Sequence, residues 1–294
     1  MIRIEHEEDR RQRDFLETPP GGENSGRARY AAAMHFFQRG MLSRQALEVY
    51  RVCAKLDAED PRASLSQLGL LAELTDGDKA AKAIAELLAA VDAFLAGLPG
   101  PGVADVRAFV ARGRDGFIRP RRAAANPLLD AWLGPALDAM QSSGQAALAA
   151  AIAAAAPYLR WITYDGYDRD AIGATFADGH AYASIIGEDA AMPGEDVDLG
   201  LFLIAPHVFY RDHRHAAPEL YAPLTGPHGW RFAPGDRLEW MEAGEPVWNE
   251  PFRPHATKVG AVPFLCVFGW TRDVNEPAKV MPADDWAAIE SGKV

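Results

Sequence analysis

The chain has 294 residues, a formal net charge of −11 and 49% hydrophobic residues. That length holds one large domain or two ordinary ones, with ample apolar material for a packed core. The acidic balance argues against wrapping nucleic acid, whose binding rests on Lys and Arg neutralising phosphates.

The N-terminus, MIRIEHEEDRRQRD, lacks the apolar core of a signal peptide. Residues 1–26 are polar, end in Pro19-Pro20-Gly21-Gly22 and beyond, and read as a disordered tail. From 27 to 156 the chain is rich in Ala, Leu, Glu and Arg at helical spacing, which predicts helices over 27–39, 43–57, 62–75, 78–97, 102–112, 127–141 and 145–156. Ser43 and Asp60-Pro61 supply start signals, and Pro99-Gly100-Pro101-Gly102 breaks one pair. Arg107, Arg112, Arg114, Arg119, Arg121 and Arg122 form a basic cluster, read as a solvated helix face and loop. The longest apolar run, 146–156, is too short to span a bilayer, and a cytoplasmic protein is expected. Cys53 and Cys266 have no ligand-type spacing and are expected to be buried thiols.

After Pro157 segments shorten and aromatic and β-branched residues rise. Strands are predicted over 158–164, 172–177, 180–187, 197–204, 212–222, 229–232, 237–241, 246–249, 254–258 and 262–271, with a closing helix after Pro282. Helices followed by strands imply an α+β chain: a helical region, 27–156, and a β-barrel, 157–294.

Within that barrel, Tyr210-Arg-Asp-His213-Arg-His215-Ala-Ala-Pro-Glu219-Leu-Tyr221 gathers two imidazoles, a carboxylate and a phenol at odd positions, answered by His255. In an extended strand residues two apart share a face. His213, His215, Glu219 and His255 are therefore the expected ligands of one divalent metal, zinc, iron or manganese, all of which accept imidazole and carboxylate. His207 and His228 lack that register. Tyr221 is a candidate base, because a nearby dication brings a phenol into working range. Tyr210 has the opposite parity and reaches the pocket only if Arg211-Asp212 turns.

The spacing His213-x-His215-x-x-x-Glu219-x-x-x-x-x-x-Gly226 resembles the first cupin motif, and Gly244 with His255 resembles the second. His207, Glu250, Phe252 and Val259 depart from that pattern. Tyr210, Tyr221, Leu201-Phe-Leu-Ile-Ala-Pro206, Ala216 to Leu224 and Gly229-Trp230 resemble more narrowly the bacterial cupin lyases that cleave dimethylsulfoniopropionate (DMSP). The resemblance implies a C-terminal cupin β-barrel, a jelly-roll type of double-stranded β-helix. It also implies β-elimination of DMSP to dimethyl sulfide and acrylate, with the metal on the substrate carboxylate and Tyr221 as base. Trp161, Tyr164, Tyr182, Trp230 and Trp270 are candidate walls for the sulfonium, and Asp165, Asp168 and Asp178 are weaker candidates by charge. The helical region is expected to cap the barrel mouth or make a homodimer interface, with no nucleic-acid or membrane partner. Two other readings are a cupin isomerase or Fe(II) dioxygenase acting on another small carboxylate, and a non-catalytic ligand-binding cupin.

Overall fold

A computed structural model describes residues 7–39, 41–68, 70, 76–113, 118, 126–188 and 190–292. Helices α1 (Glu7–Leu16), α2 (Ser25–Gln38), α3 (Arg44–Cys53) and α4 (Pro61–Gln67) come first. They enclose a small core of Ala33, Phe36, Leu42, Ala46, Tyr50 and Leu65. The start signals act as expected: Ser43 Oγ accepts from Ala46 N at 3.0 Å, and Asp60 Oδ1 from Arg62 N at 2.9 Å. The expected disordered tail is corrected over its described part. Residues 7–16 are helical, and the buried Asp9 carboxylate ties α1 to His35 of α2 (2.6 Å) and to Arg39 just beyond its end. Residues 1–6 lie outside the described residues, as do 71–75 of the helix expected over 62–75.

Helices α5 (Asp76–Ala96), α6 (Val103–Gly113), α7 (Pro127–Ser142) and α8 (Ala146–Ala155) follow. Ile84, Leu87, Leu88 and Val91 of α5 share one buried cluster with Ile152 of α8 and with Ala183, Leu199, Leu201, Leu203, Leu220 and Val267 of the barrel. The helices therefore cover the outer face of a sheet. The approach is close: a Cβ on Gly269 would come within 2.6 Å of Val106 in α6.

Two short helices, α9 (Arg169–Ile172) and α10 (Ala174–Asp178), precede the strands. They replace the strand expected over 172–177. Asp168 caps the first by accepting from Ala171 N at 2.8 Å. The segment 158–164 makes only an isolated bridge, Ile162 to Tyr182.

The strands are β1 (His180–Gly187), β2 (Met192–Pro193), β3 (Asp198–Ile204), β4 (Phe209–Arg214), β5 (Glu219–Pro223), β6 (His228–Arg231), β7 (Glu239–Met241), β8 (Val247–Asn249), β9 (His255–Lys258), β10 (Phe264–Trp270) and β11 (Lys279–Val280), closed by α11 (Trp286–Glu290). One sheet has the order β2-β1-β3-β10-β5-β8 and the other β11-β4-β9-β6-β7. All pairings are antiparallel except β1 with β2. Between the sheets lies a second core of Phe202, Ile204, Tyr210, Tyr221, Trp230, Phe264, Cys266 and Phe268. Along β3, Leu199, Leu201 and Leu203 face the helices and Phe202 and Ile204 face the barrel interior. This is the α+β arrangement expected, a cupin barrel preceded by helices. Among the described residues no helix is long and apolar enough to cross a membrane.

Candidate metal centre

The stretch 212–222 is not one strand, and the parity argument drawn on it needs correcting. β4 belongs to the five-stranded sheet and β5 to the six-stranded sheet, and residues 215–218 carry the chain between them. His213 thus comes from one sheet and Glu219 from the other, so they meet across the barrel rather than along one face. A β-bulge completes the arrangement. Tyr210 pairs with Thr257 and His213 with His255, so three steps along β4 match two along β9. The extra residue turns Arg211-Asp212 and brings Tyr210 and His213 to the same side.

Three imidazoles converge there. The ligating nitrogens of His213, His215 and His255 all lie within 4.8 Å of one another. Each ring places Nδ1 on a backbone carbonyl: His213 on Arg211 O at 2.8 Å, His215 on Ala217 O at 2.8 Å, and His255 on Arg253 O at 3.0 Å. A carbonyl can only accept, so every Nδ1 carries the proton and every neutral ring turns an Nε2 lone pair inward. The Nε2 atoms of His213 and His255 are buried without a hydrogen-bond partner among the described residues. Glu219 Oε2 lies 3.2 Å from His215 Nε2 and 3.3 Å from His255 Nε2. Acceptors facing one another at this range repel unless a proton or a cation lies between them. Asn249 Nδ2 donates to Oε2 at 3.1 Å and Trp270 Nε1 to Oε1 at 2.6 Å, which fixes the carboxylate. The donor set suits a divalent metal held by the three imidazoles and Glu219.

The site's electrostatics follow from burial. Burial and the two neighbouring imidazoles lower the His213 pKa well below its ordinary value, which keeps the ring neutral. Burial opposes ionisation of Glu219, but His215 and His255 in their protonated forms hold its pKa well below the usual carboxylate range, and Glu219 in turn raises that of His215 against burial. Tyr221 and Tyr210 are both pushed well above the ordinary phenol value, Tyr221 by burial and the Glu219 charge, Tyr210 by burial and adjacent phenols. Neither phenol ionises easily without added positive charge.

Tyr210 is clamped in a column of rings. It stacks on Phe176 at 3.8 Å and on His213 at 3.9 Å, and Phe176 stacks on His180 at 4.1 Å. Its hydroxyl shares a 2.7 Å hydrogen bond with Tyr167. Behind the bulge, buried Arg231 grips Asp212 through two hydrogen bonds and reaches Asp285 at 2.6 Å, and Trp286 Nε1 donates to Asp212 at 2.7 Å. Asp285 stands at the N-terminus of the final helix but makes no side-chain cap there, and its carboxylate is engaged by Arg231 instead.

A cavity of about 160 Å³ opens beside the centre. Tyr164, Tyr182, Trp270, Tyr210, Tyr221 and Glu219 line it. Trp161 and Trp230, expected as walls, do not. Trp161 is buried in the core between helices and sheet, donating to Ala156 O at 3.1 Å. Trp230 is fully buried in the barrel core, 5.4 Å from the Tyr221 ring, with its Nε1 unpartnered among the described residues. Asp168 caps α9 and Asp178 pairs with Arg169 in solvent. His228 is saturated by Thr225 and Gly260, and His207 is exposed. Sequence reasoning missed Tyr167, Phe176, His180 and Asp198, which all line the cavity. Their periodicity and spacing carry no sign of it, since each reaches the site from a different element. Among the described residues, segments 164–176 and 274–278 contribute to the cavity lining and none of 27–156 does, the region expected to cap the mouth or make a homodimer interface.

Comparison with known proteins bears on this geometry. A family model described as dimethylsulfoniopropionate lyase matches residues 119–266, just over half of the chain. The dimethylsulfoniopropionate lyase DddQ of Ruegeria pomeroyi DSS-3 is 27% identical over 137 residues, which cover 46% of this chain and 66% of that protein, slightly under two thirds of its length. The crystal structure of the DMSP lyase DddQ from Ruegeria pomeroyi DSS-3 superposes with a TM-score of 0.54 at 23% identity, over 69% of this chain and 98% of that one. A chain from the crystal structures of the DMSP lyases RdDddP and RnDddQII also gives 0.54, at 21% identity, over 69% of this chain and 100% of that one. The two structural likenesses support the fold, and the family match spans both halves of the ligand constellation. On that footing the chain belongs to the dimethylsulfoniopropionate lyase family.

Proposed function

We propose that this chain is a metal-dependent carbon–sulfur lyase that cleaves DMSP to dimethyl sulfide and acrylate by β-elimination. The observation that carries the reading is the set of inward Nε2 lone pairs on His213, His215 and His255, two of them without partners, beside a cavity lined by phenols. Family membership supplies the substrate class.

His213, His215, His255 and Glu219 would hold the metal. When bound, a divalent cation supplies positive charge that polarises the substrate carboxylate and opposes the rise in phenol pKa. Tyr221, acting as the phenolate that this positive charge would favour, takes the α-proton on its oxygen and becomes the neutral phenol. The Cα–H electron pair becomes the new double bond, the Cβ–S bond breaks, and its pair leaves on sulfur as neutral dimethyl sulfide. No net oxidation occurs, so zinc, iron and manganese could each serve. Tyr210, locked by Phe176, His213 and Tyr167, is placed to orient the substrate carboxylate rather than to move. The burial of Tyr221 and Tyr210, with Tyr167 partly buried beside them, limits water beside the reacting carbon.

The test is incubation of the purified, metal-loaded protein with DMSP, following dimethyl sulfide and acrylate. Tyr221→Phe should retain metal and lose at least a hundredfold in turnover, within the usual weight of a general base. His255→Ala should lose both metal and activity. Near wild-type turnover in Tyr221→Phe would remove the base assignment, and absence of dimethyl sulfide with zinc, manganese and iron would remove the lyase reading.

A further inference from the structure

We infer that Asp198 is the residue that selects a permanently cationic substrate head, a sulfonium or quaternary ammonium group, in the cavity beside the metal centre. This rests on the lyase reading for the identity of the cation, but its geometry is independent of that reading.

Asp198 opens β3 and shares the inner face of that strand with Phe202. Both line the cavity, together with Tyr164, Tyr182, Phe268 and Trp270. Asp198 is paired across the sheet with Trp270, the same tryptophan whose Nε1 grips Glu219 Oε1 at 2.6 Å. One residue therefore bridges the two ends of the cavity: its backbone lies beside Asp198 and its indole N–H holds a proposed metal ligand. A short carboxylate substrate bound at the metal would direct its far end along Trp270 toward Asp198.

The chemistry of that end is unusual. Asp198 Oδ1 is buried with no hydrogen-bond partner among the described residues. The other lining residues are ring-bearing apart from Glu219, Val274 and Ala278. The aromatic faces among them attract cations. A methylated cation needs no acceptors, so aromatic faces and one carboxylate suffice. Burial, eased in part by a Ser184 hydrogen bond, pushes the Asp198 carboxyl up to about 7, as expected of a carboxylate without a counter-charge in place. An arriving cation would supply that counter-charge, and a neutral head of the same shape would not.

The experiment measures calorimetric binding of two isosteres to the zinc-loaded full chain: 3-(trimethylammonio)propanoate, with a cationic head, and 4,4-dimethylpentanoate, with a neutral head. Wild type should prefer the cation by at least tenfold. Asp198→Asn should lose that preference through weaker cation binding while still binding the neutral isostere, which shows that the cavity is intact. Asp198→Glu, which keeps the charge, should restore part of it. An unchanged preference in Asp198→Asn, or equal loss of both ligands, overturns the assignment. Dimethyl sulfide release by the wild type is scored separately. A charge preference without release would sink the lyase reading and leave Asp198 standing, and release with no dependence on Asp198 would do the reverse.

Discussion

His213, His215 and His255 differ from ordinary core histidines in one respect. His180 and His228 satisfy both ring nitrogens, His180 with Phe176 O and Tyr164 N, His228 with Thr225 and Gly260, and burial lowers each to a pKa of about 4. The three at the centre satisfy Nδ1 on backbone and leave Nε2 for one another and Glu219. Asp198 is another residue with an unpartnered buried atom among the described residues, and it yields a pH dependence. Its pKa rises from 3.8 to about 7 because burial disfavours the anion. The folded state then keeps a proton that the unfolded chain releases, so stability falls as pH climbs between those values and the full penalty is present above about pH 7. Asp198→Asn cannot ionise. Its thermal midpoint relative to ligand-free wild type is therefore expected to rise between pH 5 and pH 8. A constant difference across that range would mean that Asp198 is not ionising in the folded protein.

At the scale of elements, the β4 bulge decides the site. It depends on a pair that is costly to disturb: the Arg231 and Asp212 side chains are both 0% exposed. Removing one partner of such a pair typically costs about 3–5 kcal/mol, because the remaining charge stays buried. Arg231→Met should thus lower the unfolding free energy measured by denaturant by an amount of that order. It should also weaken metal binding, since Asp212 adjoins His213 in the bulge. Wild-type metal affinity in a folded Arg231→Met protein would show that the bulge holds without the pair. The same network ties α11 to the barrel through Asp285 and Trp286, so the C-terminal helix belongs to the support of the centre.

For the whole molecule, the six-stranded sheet is covered on both faces, by α5–α8 outside and the barrel core inside. This gives the alanine-rich region a structural reason: small side chains let α6 and α8 lie close to the strands. The contact tolerates little. Gly102 has φ 76°, and a Cβ there would fall 2.1 Å from the Trp248 ring of β8. Gly102→Ala is expected to destabilise by about 1–3 kcal/mol through overpacking. Gly134→Ala in α7 meets nothing within 4 Å and is expected to stabilise by about 0.5–1 kcal/mol through helix propensity. Urea unfolding of both variants checks the pair, and equal shifts would mean that the helices do not pack on β8 as described.

Much of this was legible in the residues alone. Caps, helix spans and the identities of His213, His215, Glu219, Tyr221 and His255 follow from local propensity, from side chains that ligate metals, and from spacing that resembles a known motif. Those signals are carried by neighbours in sequence, and the chain could be read without folding it. Which face each residue presents was decided only by the tertiary structure. Parity holds along a regular strand, but this segment contains one bulge and one crossing between sheets, and each breaks it. Tyr210 was judged off-register for that reason, and the bulge restores it. Asp198, Tyr167, Phe176 and His180 carry no mark in the sequence because strand pairing and ring stacking, not spacing, bring them to the cavity. The sequence by itself determined what could bind a metal, and the tertiary structure decided what faces the space beside it.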